Sequence, residues 1–186
     1  RLEGVDIPNP NHFEGANVAG GGLVSVFSSQ MLANSDFYTG AFPAEYGNAL
    51  AGVFDMKFRT GNSEKREHTV QAGVLGIDLS SEGPFKIGSK ATYLFNYRYS
   101  TFGIIKTILP PNMGIPDYQD LSFKLNFPNK HGSISVWGIG SIDNFPKPEI
   151  NDSTEWETED DRTSFDWHLK RGAIGMTHKV LIGEKT

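Results

Sequence analysis

Hydrophobic and polar residues alternate with a period of two along several stretches of this sequence, and no other feature limits the possible folds as strongly. In LSFKLNF (residues 121–127) the alternation is complete, with leucine and phenylalanine on one face and serine, lysine and asparagine on the other. Residues 90–99 alternate in the same way with one exception, Leu94, and residues 172–182 do so more loosely. Because successive side chains of a β-strand point to opposite sides, these stretches predict strands with one apolar and one polar face.

The segments around these stretches extend the pattern to an all-β chain of mainly antiparallel strands. We predict one long strand or a tight hairpin around Gly73 and Gly76, then strands near residues 90–100, 119–127, 133–142 and 169–182. Gly138 and Gly140 lie inside one predicted strand, where glycine indicates a bend or a close neighbour. Helical periodicity is weak nearly everywhere, and only residues 20–36 leave room for a short helix or a mixed segment.

The connections between the predicted strands alternate in length. PNKHG (residues 128–132) is a tight turn, whereas residues 102–118 and 144–168 are long loops. Compact soluble domains rarely carry two such loops, but outer-membrane barrels have short turns at one end and long loops at the other. Tyr97 and Tyr99 near a strand end suit the aromatic girdle of a membrane barrel. Alternating strands also build β-sandwiches, whose apolar face is a protein core, so the pattern leaves both architectures open.

Composition and charge exclude several classes of protein. The net charge of −5 argues against a nucleic-acid partner, because phosphate binding needs a basic surface. The absence of cysteine excludes disulfides and thiolate metal sites in this chain. No run of about twenty apolar residues is present to form a transmembrane helix. The sequence opens without a signal peptide and stops directly after an apolar stretch, and we therefore interpret it as part of a longer protein.

No motif of catalysis or metal binding appears. GANVAGGGLVS (residues 15–25) lacks the Lys-Ser/Thr pair of a phosphate-binding loop. The five histidines are scattered without the spacing of metal ligands, and His131 is interpreted as a solvated turn residue. No Gly-x-Ser-x-Gly sequence marks a nucleophile. We therefore predict no catalytic, cofactor-binding or metal-binding residues, no cofactor, and a protein that is not an enzyme.

Residues 149–166 are rich in aspartate and glutamate, and the predicted loop 144–168 around them also contains Trp156 and Trp167. Carboxylates at this density could hold calcium, but their spacing does not match an EF-hand loop. The two tryptophans could stack on a sugar ring, which makes them candidates for ligand-facing residues. A solvated loop is the simpler interpretation of the acidic run.

DFYTGAFPAEYGNALAGVFDMKFRTGN (residues 36–62) is the densest local signal in the chain. A glycine is followed by a proline, a Tyr-Gly pair and a run of small residues before a strand, and the motif consists of Gly40, Pro43, Tyr46 and Gly47. The glycines can take positive φ where the backbone must turn sharply, and the proline fixes its own φ. The tyrosine hydroxyl needs a partner if its ring is buried. These properties indicate a structural motif that aims the next strand.

The same stretch resembles the C-terminal part of the plug domain in TonB-dependent outer-membrane receptors of the Bacteroidetes type. VDIPNPNHFEG (residues 5–15) resembles the segment that precedes it in those receptors, and EGPF (residues 82–85) resembles the turn that ends their early barrel strands. The resemblance implies that residues 1–63 are the C-terminal part of a plug domain. It also implies that residues 64–186 are the first five or six strands of an incomplete transmembrane β-barrel.

The resemblance further implies a location in the cell outer membrane and energy-coupled uptake of a scarce solute such as a siderophore, a glycan, a peptide or a cobalamin. The implied partners are TonB with its inner-membrane energy-coupling complex, a small-molecule or oligosaccharide ligand, and outer-membrane lipid. The segment by which the family contacts TonB precedes the plug and is not contained in this chain. The alternative is a secreted β-sandwich carbohydrate-binding module that uses Trp156 and Trp167.

Overall fold

The computed structural model describes most of the 186-residue chain, namely residues 1–7, 9–13, 24–40, 42–47, 49, 51–104, 115–156 and 159–183. Its strands are β1 (Asp36–Tyr38), β2 (Val53–Asp55), β3 (Glu67–Ala72), β4 (Gly76–Pro84), β5 (Thr92–Ser100), β6 (Asp117–Asn129), β7 (Gly132–Lys147) and β8 (Phe165–Val180). Helical structure in these residues is limited to short 3-10 turns such as Ala44–Tyr46, Ser153–Glu155 and Glu159–Arg162. The predicted all-β class is confirmed.

Strands β3 to β8 form one six-stranded sheet in which every strand is antiparallel to the next along the chain. The long strands β7 and β8 pair from Gly132↔Val180 to Lys147↔Phe165. Neighbours in sequence can pair in this way because antiparallel strands need only a short connection. The order leaves β3 and β8 as the two edge strands of the sheet.

From β5 onward the connections alternate in length, as the sequence predicts. β6 turns into β7 at residues 130–131, at the same end of the sheet as the connection between β4 and β5. Gly132 ends that turn with a φ of 147°, and a Cβ there would lie 1.8 Å from the carbonyl oxygen of Lys179, so only glycine fits. The opposite end carries the tight β3–β4 hairpin at residues 73–75 and both long connections, and the second of these, residues 148–164, is shorter than predicted because β7 and β8 are longer.

Two sequence expectations lie partly outside the described residues. Residues 24–36 of the possible helix contain no helix, and the rest of that stretch belongs to residues 14–23, which the structure does not describe. Within the loop predicted at residues 102–118, residues 102–104 form a 3-10 turn and β6 begins at Asp117. Residues 105–114 of that loop also lie outside the described part.

Residues 1–63, called here the N-terminal segment, pack against one face of the six-stranded sheet. The segment contains the small antiparallel sheet of β1 and β2. A central apolar core joins the segment to the sheet and consists of Leu2, Phe27, Met31, Met56 and Phe58 from the segment with Leu94 and Trp137 from the sheet. Leu94, the exception in the alternation of β5, lies on the otherwise polar face of that strand and is fully buried in this core.

Two glycines on adjacent strands each accept an aromatic ring from a neighbouring strand. The ring of Phe123 lies over Gly138, and the indole of Trp137 lies over Gly175; an added Cβ would approach either ring to 2.5 Å. The expectation of a close neighbour is confirmed for Gly138. At Gly140 the nearest atom would stand 3.8 Å from a Cβ, which is ordinary contact.

Candidate functional site

The two faces of the six-stranded sheet are buried in the opposite sense from those of a water-soluble β-protein. We call the face under the N-terminal segment the covered face and the other the uncovered face. Asn96 and Ser122 on the covered face are 0% exposed, whereas their chain neighbours Phe95 and Leu121 on the uncovered face are 41% and 37% exposed. The polar face therefore points to the interior and the apolar face to the surroundings.

The uncovered face is a continuous apolar surface that crosses all six strands. Its exposed large side chains are Val70, Ile77, Leu79, Phe95, Tyr99, Leu121, Phe127, Ile134, Ile174, Met176 and Val180. Ile174 and Met176 on the edge strand β8 are 75% and 71% exposed. Soluble monomers rarely expose apolar patches that extend over several strands, so this face marks an interaction surface.

The covered face is buried although most of its side chains are polar. Its buried polar residues are Ser80, Thr92, Asn96, Ser100, Asp120, Ser122, Lys124, Ser135, Ser141 and Asp143. Buried polar groups need hydrogen-bond partners, and the N-terminal segment supplies them to the charged residues Asp120, Lys124 and Asp143. The charged contacts form two clusters, one on the strand ends near the long loops and one on the strand ends near the short turns.

His12 is the centre of the cluster near the long loops. Its Nε2 lies 2.9 Å from Asp120 Oδ2 on β6, and its Nδ1 contacts Asp143 Oδ1 on β7. All three side chains are fully buried. The Tyr118 ring stacks on the imidazole with 4.2 Å between ring centroids. The backbone N–H of Phe13 donates to Asp143 Oδ2 at 3.3 Å, so both His12 and its neighbour bind the same carboxylate.

Two arginines of the sheet hold the same carboxylates from the flanking strands. Arg98 on β5 donates from Nε and Nη2 to the two oxygens of Asp120, at 3.1 and 2.8 Å. Arg171 on β8 donates from Nη2 to Asp143 Oδ2 at 2.9 Å. Burial by itself lowers the pKa of His12, but the hydrogen bonds and charges of Asp120 and Asp143 outweigh it, so the pKa lies above the ordinary value of 6.5.

Both arginines also bind carbonyl oxygens of the N-terminal segment. Arg98 Nη2 donates to Ser25 O at 2.5 Å, and Arg171 donates to Asn9 O and Asn11 O at 2.9 and 2.5 Å. These bonds fasten two stretches of the segment, residues 9–13 and 24–28, to the strands beneath them. Asp78 on β4 adds a contact to the second stretch by accepting from Ser28 Oγ at 2.6 Å.

The cluster near the short turns is built on Glu82 and Lys124. Arg59 of the N-terminal segment donates from both Nη atoms to the two oxygens of Glu82, at 2.6 and 2.7 Å. This paired geometry is the strong form of an arginine–carboxylate contact. Lys124 Nζ on β6 donates to Glu3 Oε1 at 2.6 Å and to Phe58 O at 2.8 Å. Each cluster thus joins the segment to the sheet through charges on both partners.

The motif residues from the opening stretch lie in the connection between β1 and β2. Pro43 precedes the 3-10 turn Ala44–Tyr46, and Gly47 follows it with a φ of −62°. Neither motif glycine uses the positive φ that glycine allows: Gly47 is right-handed helical, and Gly40 does not take a φ in the left-handed range. The turn closes instead through the 3-10 hydrogen bond from Tyr46 N to Pro43 O, at 3.0 Å.

Tyr46 is buried and has the partner that the sequence analysis required. Its hydroxyl lies 3.4 Å from Asp55 Oδ2 on β2, and the Arg1 guanidinium lies 5.0 Å from the centre of its ring. Burial, with the nearby negative charge of Asp55, raises the pKa of Tyr46 to about 12. The side chain therefore anchors the motif to the strand that follows it.

The two candidate ligand-facing tryptophans do not share one loop. Trp156 lies in the loop after β7, where its Nε1 donates to Ile150 O at 2.7 Å and the Arg162 guanidinium sits 4.7 Å from its ring centre. Trp167 lies on β8 opposite Phe145, because β8 begins at Phe165. Both tryptophans are predicted to lie in a loop, and this prediction is wrong for Trp167, which is a strand residue. Neither tryptophan has a described contact that bears on ligand binding.

Acidic side chains of the same loop have internal partners. Asp152 accepts from the backbone N–H and the hydroxyl of Thr154, at 2.9 and 2.7 Å, and these bonds lower its pKa. Asp161 accepts from Lys147 Nζ at 3.2 Å. Across the described residues, no group of three or more histidine, aspartate or glutamate side chains is arranged to hold a metal ion. His131 is exposed in the turn between β6 and β7, as the sequence indicated.

The sequence does not reveal the role of His12, because its partners lie 108 and 131 residues further along the chain. The signal that could have pointed to them is a set of charged residues on the polar faces of adjacent strands.

No helix among the described residues has the length and apolar character needed to cross a membrane. A scan of family models, a search of curated proteins and a search of solved structures each found no match to this chain.

Proposed function

We propose that this chain is part of a TonB-dependent outer-membrane transporter, with residues 1–63 as the C-terminal part of its plug and β3 to β8 as the first strands of its barrel. The observation that carries the proposal is the inverted burial of the six-stranded sheet. A membrane barrel turns apolar side chains to lipid and polar side chains to its lumen. Exposed Phe95 and Leu121 beside buried Asn96 and Ser122 follow this rule strand by strand.

The edges of the sheet give independent support. β8 runs from Phe165 to Val180 and pairs only with β7 among the described strands. A long, unpaired edge with exposed Ile174 and Met176 invites association unless another strand covers it. In a closed barrel, further strands of a longer protein pair with this edge, and closure removes the unpaired backbone groups.

The contacts under the N-terminal segment suit a plug that must move during transport. Its two charged clusters hold the segment to the sheet at rest. When a hydrated lumen opens, water replaces the protein partners of these charged groups, so separation of the two surfaces does not expose a fully apolar interface. The apolar core between the clusters is small by comparison and joins Leu94 and Trp137 to the segment. Pulling on the segment through TonB then separates polar surfaces, and the transported solute passes through the space that opens.

The alternative of a secreted β-sandwich carbohydrate-binding module fits less well. A sandwich buries its apolar faces against each other, whereas here the apolar face is uncovered. Trp156 offers a sugar only part of its ring, because Arg162 already stacks on it. No described contact favours the binding module.

The experiment that tests the proposal places single cysteines on the two faces of β6 and in a loop. The chain has no cysteine of its own, so Leu121→Cys, Ser122→Cys and Asp152→Cys each introduce a unique thiol in this region. Each variant of the natural protein is labelled with a bimane fluorophore and reconstituted in vesicles with and without brominated lipid.

We expect brominated lipid to quench the label at position 121 strongly and the labels at 122 and 152 weakly. Equal quenching at 121 and 152 would contradict a lipid-facing sheet and remove the main support for the transporter. In parallel, fractionated source cells blotted with an antibody against residues 36–62 should show the band in the outer membrane. A secreted or soluble band would put the binding module first.

A further inference from the structure

We propose that His12 is a proton-controlled tether: with both ring nitrogens protonated it joins β6 and β7 to the N-terminal segment, and loss of one proton releases residues 9–13 from the covered face. The inference goes beyond the proposed function and does not depend on it. It rests on the geometry of the buried cluster around His12.

The donor inventory of imidazole makes the protonated form necessary. Nε2 faces Asp120 and Nδ1 faces Asp143, and both contacts are at hydrogen-bond distance. A neutral imidazole has one N–H and one lone pair, whereas an ionised carboxylate only accepts. With neutral His12, one nitrogen lone pair would point at a carboxylate oxygen inside a site without water access. Only the imidazolium donates to both.

The neighbouring arginines keep the proton on His12 rather than on an aspartate. Arg98 donates two hydrogen bonds to Asp120, and Arg171 donates one to Asp143. Arginine stays charged in proteins and favours the ionised form of a carboxyl group that it contacts. Both aspartates therefore remain acceptors, and the imidazole carries the proton.

The titratable and charged groups recorded around His12 on the packed strands are Arg98 on β5, Tyr118 and Asp120 on β6, Asp143 on β7 and Arg171 on β8. The hydroxyl of Tyr118 donates to Leu75 O at 3.0 Å. Asp78 on β4 binds Ser28 and Asn96 instead. Among the described residues, the carboxylates that contact the imidazole are therefore those of Asp120 and Asp143 alone.

The direction of the pH response follows from this arrangement. The held His12 binds its proton more tightly than the released one, so the tether is at full strength below the ordinary histidine pKa of 6.5. It weakens as the pH rises through the higher pKa of the held state. Over the interval between the two values, the equilibrium constant for release rises about tenfold per pH unit.

The first measurement follows the protonation state directly. The purified protein, labelled with ¹⁵N at histidine and held in detergent micelles, is titrated from acid to alkaline pH by long-range ¹H–¹⁵N NMR. We expect one histidine to keep both nitrogens protonated above pH 6.5 and its signal to vanish in His12→Gln. Asp120→Asn should lower the pKa of that histidine, because the amide has no negative charge to favour the imidazolium.

The second measurement follows release of the segment. Hydrogen–deuterium exchange of residues 9–13, corrected for the intrinsic pH dependence of amide exchange, should rise with pH in the unmodified protein. In His12→Gln the exchange should be higher and no longer depend on pH. His131→Gln is the matched control, because His131 is exposed in the β6–β7 turn, and it should behave like the unmodified protein.

Two results would overturn the proposal. One is a titration in which all histidines lose a proton at or below pH 6.5. The other is release of residues 9–13 that depends on pH equally in the unmodified protein and in His12→Gln. If His12→Gln fails to fold, Asp120→Asn and the titration of the unmodified protein still decide the question.

Discussion

Removing the charge of Lys124 should detach the N-terminal segment at the short-turn end of the sheet. Lys124 Nζ donates to Glu3 Oε1 at 2.6 Å and to Phe58 O at 2.8 Å, and the side chains of Lys124 and Glu3 are 9% and 8% exposed. In Lys124→Met the Glu3 carboxylate stays buried with one remaining donor, the backbone N–H of Phe58 at 2.8 Å. An uncompensated buried charge of this kind costs about 3–5 kcal/mol.

That cost converts directly into local opening. Every 1.4 kcal/mol is a factor of ten, so the equilibrium constant for release of the segment should rise by about 10²- to 10⁴-fold. Hydrogen–deuterium exchange of residues 1–7 and 56–58 measures this rise in the micelle-bound protein. Exchange in β7 should change much less, because its backbone hydrogen bonds are made within the sheet.

Two further variants make the reasoning refutable. In Glu3→Gln/Lys124→Met no charge remains buried, so most of the lost stability should return, since neutral replacements of a buried pair are often tolerated. Lys65→Met removes the exposed Lys65–Glu67 pair at 2.8 Å and should leave the opening of the segment almost unchanged, because water screens this pair. Two results would refute the idea that a buried charge pair holds the N-terminal segment to the sheet. One is an effect of Lys124→Met on segment release that is no larger than that of Lys65→Met. The other is a double variant that recovers none of the lost stability.

Two packing predictions complete the set. Leu94→Ala should lower the free energy of unfolding by about 2–5 kcal/mol, because it opens a cavity in the core under the N-terminal segment. Denaturant unfolding should show a smaller loss of this free energy for Leu79→Ala on the uncovered face. Equal losses in the two variants would contradict this assignment of faces. Gly175→Ala should cost about 1–3 kcal/mol, because the added Cβ meets the Trp137 indole at 2.5 Å. Displacement of that buried ring should shift its fluorescence to longer wavelength, and an unchanged spectrum with unchanged stability would show that the ring is not held against the glycine.

The sequence determines the strands, their order of turns and loops, and the chemical character of each face. Alternation with a period of two is a local property, so residues 121–127 reveal a strand with an apolar and a polar face before any partner is known. The tight turn at residues 130–131 is equally local, since the short run PNKHG ends in a glycine, which tolerates the positive φ observed at Gly132. These features could be predicted, and the structure confirms them.

The tertiary structure alone decides which face is covered. Alternation is symmetric between a sandwich, which buries its apolar face, and a sheet that buries its polar face, so Leu121 and Ser122 could each have been the interior residue. Burial of Ser122 is decided by the N-terminal segment, which covers that side and binds the charged residues Asp120 and Lys124 on either side of it. The same holds for His12, which was one of five scattered histidines in the sequence. Asp120 and Asp143 lie beside His12 only because β6 and β7 pair in the observed register. The spacing of these three residues in the sequence does not reveal that they are in contact.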